Sequence, residues 1–305
     1  MIDVPPTVGR VLSEWTLEPL PLTVLALAAV LYLAGVARVR TCWPWPRAVS
    51  FHAGLFVIAL AIFSGIDAYD DTLLSVHMVQ HILLLDVAPP LLVLGAPIRL
   101  AFASMPRDGR MRLARVLRSR VVGALTVPAV GLSVYAAVLL GTHFTGLYEL
   151  ALRNETVHRC EHVAYVIAGL LFFAPIVAAD PLPHRPGPVA RLVLFTFAML
   201  AMVVPGAWLT FTHTIRYPFY IAPARVLHDS VLADQQLAGM IMIVGGGLTM
   251  LTLKLALFLR DVLAEERREQ RRESYIAPAP APAVFPEPAT ATEALAAEMI
   301  PAGRA

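Results

Sequence analysis

Long apolar runs alternate with short polar segments along the whole chain, and seven of those runs are long enough to cross a hydrocarbon core. Crossing takes about 20 helical residues at a rise of about 1.5 Å each. The runs are Leu20 to Ala37, Ala48 to Ile66, Leu73 to Leu94, Val121 to Gly141, Val157 to Ala179, Val189 to Thr210 and Leu237 to Leu259. The pattern predicts an all-α, polytopic integral membrane protein built as a seven-transmembrane-helix bundle.

The polar segments between the runs predict its orientation, because short loops rich in Lys and Arg stay in the cytoplasm. Arginines follow spans 1 (Arg38, Arg40, Arg47), 3 (Arg99 and six more from Arg107 to Arg120), 5 (Arg185, Arg191) and 7 (Arg260, Arg267, Arg268, Arg271, Arg272). The alternate segments are acidic or nearly neutral, with Asp3, Glu14 and Glu18 before span 1, Asp67, Asp70 and Asp71 after span 2, and Glu149 and Glu155 after span 4. The N-terminus is therefore expected outside and the C-terminus in the cytoplasm.

This reading divides the chain into an extracytoplasmic segment 1–19, a membrane domain 20–260, a charged helical extension 261–274 and a tail 275–305. The extension (DVLAEERREQRRES) alternates acids and bases at helical spacing. The tail is rich in Pro and Ala, cannot pack a core and is expected to be disordered. The first residues lack a basic n-region followed by an apolar h-region, so no cleavable signal peptide is expected.

Composition agrees with a membrane protein: 58% of residues are hydrophobic and 15% charged, and the mean hydropathy is +0.68. The net charge of +2 follows from the arginine topology and gives no reason to expect a nucleic-acid partner. The Arg107 to Arg120 run reads instead as a surface helix touching anionic membrane lipid.

The chemistry lies in two motifs, His77-Met-Val-Gln-His81 at the start of span 3 and His158-Arg-Cys-Glu-His162 at the start of span 5. On a helix, i, i+4 spacing turns both imidazoles to one face, so two such helices side by side present four nitrogens to one metal ion. Both spans run in the same direction, which places the pairs at matching depth. Glu161 shares that face as a ligand or as an acceptor orienting an imidazole N–H. Asp70, one heptad before His77, stands at the mouth of the site, and Asp234 opens span 7 on the same side. Asp86 falls on the opposite face of span 3 near mid-membrane, just before Pro89-Pro90, where a buried acid needs a partner.

Other groups are placed around this set. His143, His213 and His228 belong to the same side, and His52 and His184 to the other. Met78, Met199, Met202, Met240 and Met242 read as packing, with thioether ligation of Cu(I) as the alternative. Cys160 points away from the two histidines, and Cys42 and Cys160 fall on opposite sides. There is no CxxC or CxxxC, which excludes the usual thiol copper-chaperone and thioredoxin-like signatures. The bland reading of each histidine pair is an interfacial contact between helices.

Three other uses of such a histidine set stay open from the residues alone. One is a b-type heme electron carrier, with one axial histidine from each span. Another is a seven-span zinc-dependent membrane hydrolase. The third is a copper transporter, although no continuous polar path runs through both halves.

His77 to His81 followed by Ala88-Pro89-Pro90-Leu91-Leu92-Val93-Leu94-Gly95-Ala96-Pro97 resembles the marked third span of the CtaG family of cytochrome c oxidase assembly factors, named for caa-type oxidases. His158 to His162 with Phe172-Phe173-Ala174-Pro175-Ile176 and Asp180-Pro181, then Asp234-Gln235-Gln236-Leu237-Ala238-Gly239, resemble that family's later motifs in the same order. The similarity covers about residues 15 to 260. It implies a non-enzymatic, multi-pass protein of the bacterial cytoplasmic (inner) membrane, a chaperone-like helper whose partner is a heme-copper oxidase subunit of the respiratory chain. Copper, bound transiently through His77, His81, His158 and His162, is the cofactor expected at such a step.

Overall fold

The computed structural model describes residues 14–39, 43–223 and 230–276. Residues 1–13, Cys42, His228 and nearly all of the expected tail, 277–305, lie outside the described residues. Among the described residues all regular structure is helical: α1 (Pro19–Arg38), α2 (Trp45–Phe63), α3 (Gly65–Tyr69), α4 (Leu74–Ile82), α5 (Ala88–Leu94), α6 (Pro97–Ser104), α7 (Arg107–Leu117), α8 (Arg120–Leu125), α9 (Pro128–Phe144), α10 (Leu147–Arg153), α11 (Glu155–Val177), α12 (Pro188–Phe211), α13 (Val231–Ile241) and α14 (Gly247–Ile276).

Six helical stretches among these residues are long and apolar enough to cross a membrane, and a seventh appears if α9 and α10, bent by 72°, count as one span. The fourth expected span therefore differs most from its sequence reading. Val121 to Gly141 is broken at Pro128, which takes the first turn of α9 and forces Val127 into extended backbone. The residues before it form α8, whose first turn is capped by Ser119 accepting from Val122 N. The apolar run hid a boundary that a single proline sets.

Span 3 is the hub. Of its most apolar window 67% is buried, against 6% for α1, so α1 presents Leu20, Val24, Leu27 and Leu31 outward while span 3 is wrapped by its neighbours. Among the principal helix contacts are α2 and α11 against α5, α13 against α4, α9 against α11, and α12 against both α9 and α13. Spans 3 and 5, which carry the two histidine motifs, are thus in direct contact.

That contact depends on a small residue. A Cβ on Gly169 of α11 would collide with the Leu85 carbonyl and the Pro89 ring, and close backbone approach between membrane helices requires this kind of gap. Gly169→Val is expected to separate spans 3 and 5 and to destabilise the fold by about 1–3 kcal/mol, in the range for overpacking. Thermal unfolding in detergent, followed by helicity, checks this; an unchanged midpoint contradicts it.

Two π-helical turns interrupt the hub and its neighbour, Leu83–Val87 between α4 and α5 and Met242–Gly246 between α13 and α14. The first has a plain cause. Pro89 and Pro90 have no N–H to give to the preceding turn, and the wider turn absorbs the lost bonds. Asp86 sits in this turn, fully buried, with Oδ1 accepting a 2.8 Å hydrogen bond from Tyr135 of α9. The partner that a buried mid-span acid required is a tyrosine.

The arginine-bearing ends meet at one end of the bundle. Arg99 N donates to Asp180 Oδ1, Arg185 to the Asp180 carbonyl, Arg260 to the Val177 carbonyl, and Arg191 pairs with Asp261 at 2.6 Å. Arg47, Arg99 and Arg260 line one pocket there. The α7 helix buries none of its residues.

The chain divides into two units at Asp261. In the second, α14 continues through the charged extension to Ile276, with Arg268 paired to Glu265 three residues earlier.

Candidate functional site

The opposite end of the bundle gathers the histidines. Helix α4 starts at Leu74 without a capping side chain of its own, and Asp234 of α13 supplies one from 160 residues away: Oδ2 accepts from Leu74 N at 2.7 Å and Oδ1 from Ser75 N at 3.3 Å. This aligns a carboxylate with the positive end of the helix that carries His77 and His81. The next residue is also committed, with Gln235 accepting from Arg216 N and donating to the Thr214 carbonyl. Asp234 positions the site and is not one of the clustered donors. Asp234→Ala is expected to cost about 1–2 kcal/mol through loss of the cap, read as a lower unfolding midpoint; Asp234→Asn should restore most of it.

His77 lies at the centre. Its Nε2 is 2.8 Å from His81 Nε2, one turn on, and its Nδ1 is 3.3 Å from both the Asp70 carbonyl and the Tyr220 hydroxyl. The carbonyl can only accept, so Nδ1 carries the proton and Nε2 of the neutral ring accepts from His81. Tyr220 also donates to the Asp70 carbonyl at 2.8 Å. Tyr165 stacks on His81, with ring centroids 4.2 Å apart.

Two overlapping sets of possible metal donors share His77. Asp70, His77 and His158 form one, and His77, His81 and Glu161 the other; in each, one donor atom per residue lies within 4.8 Å of the others. His158 Nε2 is 3.6 Å from Asp70 Oδ2, and His81 Nε2 is 3.9 Å from Glu161 Oε1. All are buried except His158, which is half-buried and lines, with His162, an open groove bordered by α1, α2 and α11.

The fourth expected donor, His162, stands apart from both sets. Its Nε2 donates to Gln80 Oε1 at 3.1 Å, and Gln80 is fixed in that orientation because its own amide donates to the Ala61 carbonyl and to Asp67 Oδ1. His162 still touches the cluster through His158, at a ring separation of 4.2 Å. Cys160 is exposed, as is His213, and His184 contacts Thr126 away from the cluster.

The donor chemistry suits a cation. Glu161 Oε1 and Oε2, Asp70 Oδ2, His158 Nε2 and His81 Nδ1 are buried and make no hydrogen bond among the described residues. Leaving such groups unpaired costs about 1–3 kcal/mol each, more when charged. Burial, then the neighbouring Asp67 and Asp71 carboxyls, push the Asp70 carboxyl well above the usual carboxylate range. With metal–nitrogen bonds of about 2.0 Å, a 2.8 Å gap between two nitrogens subtends roughly 90° at an ion, and small ring shifts open it toward tetrahedral.

Tyr148, Tyr165, Tyr220 and Gln80 also build this end of the bundle, and the histidine motifs alone do not announce them; His143, expected on this side, stands beside Met78 and His81. The available signal was helical: Gln80 is three residues after His77, and Tyr165 is three after His162 and four after Glu161, all spacings that return to one face.

Fold and site together define a multi-pass helical membrane protein with a buried imidazole and carboxylate cluster near one end. The chain belongs to the cytochrome c oxidase caa3 assembly factor family, whose sequence profile matches residues 30–262. It is 32% identical over 246 residues to uncharacterized proteins of Mycobacterium bovis and Mycobacterium tuberculosis, covering 77% of this chain and 37% of each relative. It is 28% identical over 248 residues to one of Mycobacterium leprae, covering 78% and 38%. The chain thus spans less than two fifths of the length of these relatives. No solved structure matches it.

Proposed function

We propose that this protein assists copper insertion into a heme-copper oxidase subunit in a bacterial cytoplasmic membrane, holding the ion transiently at the His77 cluster. The observation that carries the reading is the set of buried donor atoms without a hydrogen bond on Asp70, His158 and Glu161, which gather with His81 Nε2 around His77. A closed structural site would bury all its ligands and satisfy them with a resident ion. Here His158 reaches an open groove, which suits an ion that must leave. Copper is favoured among divalent ions because Cu(II) wins on intrinsic affinity at imidazole and carboxylate donors.

His77, His81 and Glu161 would hold the cargo, and Asp70 with His158 would exchange it at the groove. Outward placement of this end follows from the positive-inside reading of the arginines gathered at the other. The heme-carrier and zinc-hydrolase readings draw no support from the family's assembly role.

The test is made in cells. A His77→Ala/His158→Ala variant, present at normal abundance, is expected to leave the oxidase subunit in the membrane but depleted of copper and inactive. Normal oxidase copper in that strain would sink the proposal.

A further inference from the structure

Behind His81 lies a small cavity that the cargo site does not use. Met78 of α4, Met202 of α12 and Met242 of the second π turn line it, together with His81, His143 of α9 and Tyr165. Buried methionines alone are ordinary filling. His143 makes this cavity different.

The Nδ1 of His143 is 2.8 Å from the Leu139 carbonyl, which can only accept, so Nδ1 carries the ring proton. In the neutral ring Nε2 then presents a lone pair. That nitrogen faces Met78 Sδ at 3.4 Å, and a thioether has no proton to offer. Two electron-pair donors therefore face each other in a fully buried place, with no hydrogen between them. With metal–nitrogen and metal–sulfur bonds of about 2.0 and about 2.3 Å, this separation corresponds to an angle of roughly 104° at a shared ion.

We propose that Met78 and His143, completed by Met202 and Met242, form a second metal position, selective for a soft monovalent ion of the Cu(I) type. Thioether with imidazole is a soft donor set, whereas the His77 cluster is imidazole with carboxylate. His81 belongs to the one and lines the other, and its ring lies 6.2 Å from that of His143. Copper passing between them as Cu(I), with no change of oxidation state, would meet His81 as the imidazole common to both; this purpose, though not the site, rests on the cargo reading above.

Silver(I), a redox-inert soft ion, is the probe, added to the purified full-length protein in detergent and read by X-ray absorption and by chelator competition. The wild type is expected to show sulfur neighbours around silver. Met78→Leu, which conserves volume, should weaken silver binding at least tenfold and leave Cu(II) binding unchanged. His77→Ala should do the reverse, weakening Cu(II) and sparing sulfur-bound silver. Should Met78→Leu fail to fold, Met202→Leu and Met242→Leu report the same loss of sulfur neighbours. No silver binding by folded wild type, a shell of nitrogen and oxygen only, or silver affinity indifferent to the methionine variants would overturn the second site. None of these readouts involves the oxidase, so a failure of the copper-insertion reading shows separately, as normal oxidase copper in the histidine variant.

Discussion

His77→Ala is expected to weaken copper binding by at least about 100-fold, the largest effect of any single substitution in the cluster, because His77 alone belongs to both donor sets. Removing a residue that merely orients a ligand commonly costs 10–100-fold in affinity, and a shared ligand should cost no less. His162→Ala should cost far less, since the His162 Nε2 is committed to Gln80. His213→Ala, on an exposed residue outside both sets, should cost nothing. Competition against a chromophoric chelator gives all three affinities in one series. Equal losses at His77 and His162 would restore the symmetric four-histidine site that the two motifs suggest on their own.

Glu161→Leu is expected to move stability and binding in opposite directions. Both Glu161 oxygens are buried without a hydrogen-bond partner among the described residues. Substituting an apolar side chain removes the cost of an unsatisfied polar group, about 1–3 kcal/mol, so the metal-free variant should unfold at a higher temperature than the wild type. Copper affinity should fall by about 10-fold or more for loss of the one carboxylate in the His77, His81 set. A glutamate kept for packing or hydrogen bonding would give the other pattern, with lower stability and unchanged affinity. Thermal unfolding without and with copper separates the two.

The sequence made the membrane class, the apolar spans and the pairing of histidines on one helical face legible, because periodicity and apolar length are local properties. It also placed Asp86 on the far side of span 3, where Tyr135 meets it. Contacts between distant segments were beyond its reach. That spans 3 and 5 touch depends on Gly169 lying against Leu85 and Pro89, and nothing near position 169 signals the crossing. Asp234 reads as one more acid near the site until the fold brings it to the start of α4, where it caps the helix instead. The division of the four histidines has the same origin: Gln80 holds His162 only because the two helices pack at that register. The break at Pro128 was visible as a proline, but an unbroken apolar run outweighed it.

The central claim is that copper sits on the His77 cluster. The most direct test is metal content, by mass spectrometry, of the full-length protein purified in detergent after copper-replete expression, wild type beside the His77→Ala/His81→Ala/His158→Ala/His162→Ala variant. Near-stoichiometric copper in the wild type and its loss from a variant of unchanged helicity is the predicted result. Equal copper in both, or none in either with the fold intact, would contradict it and leave a protein that escorts the oxidase subunit without carrying its metal.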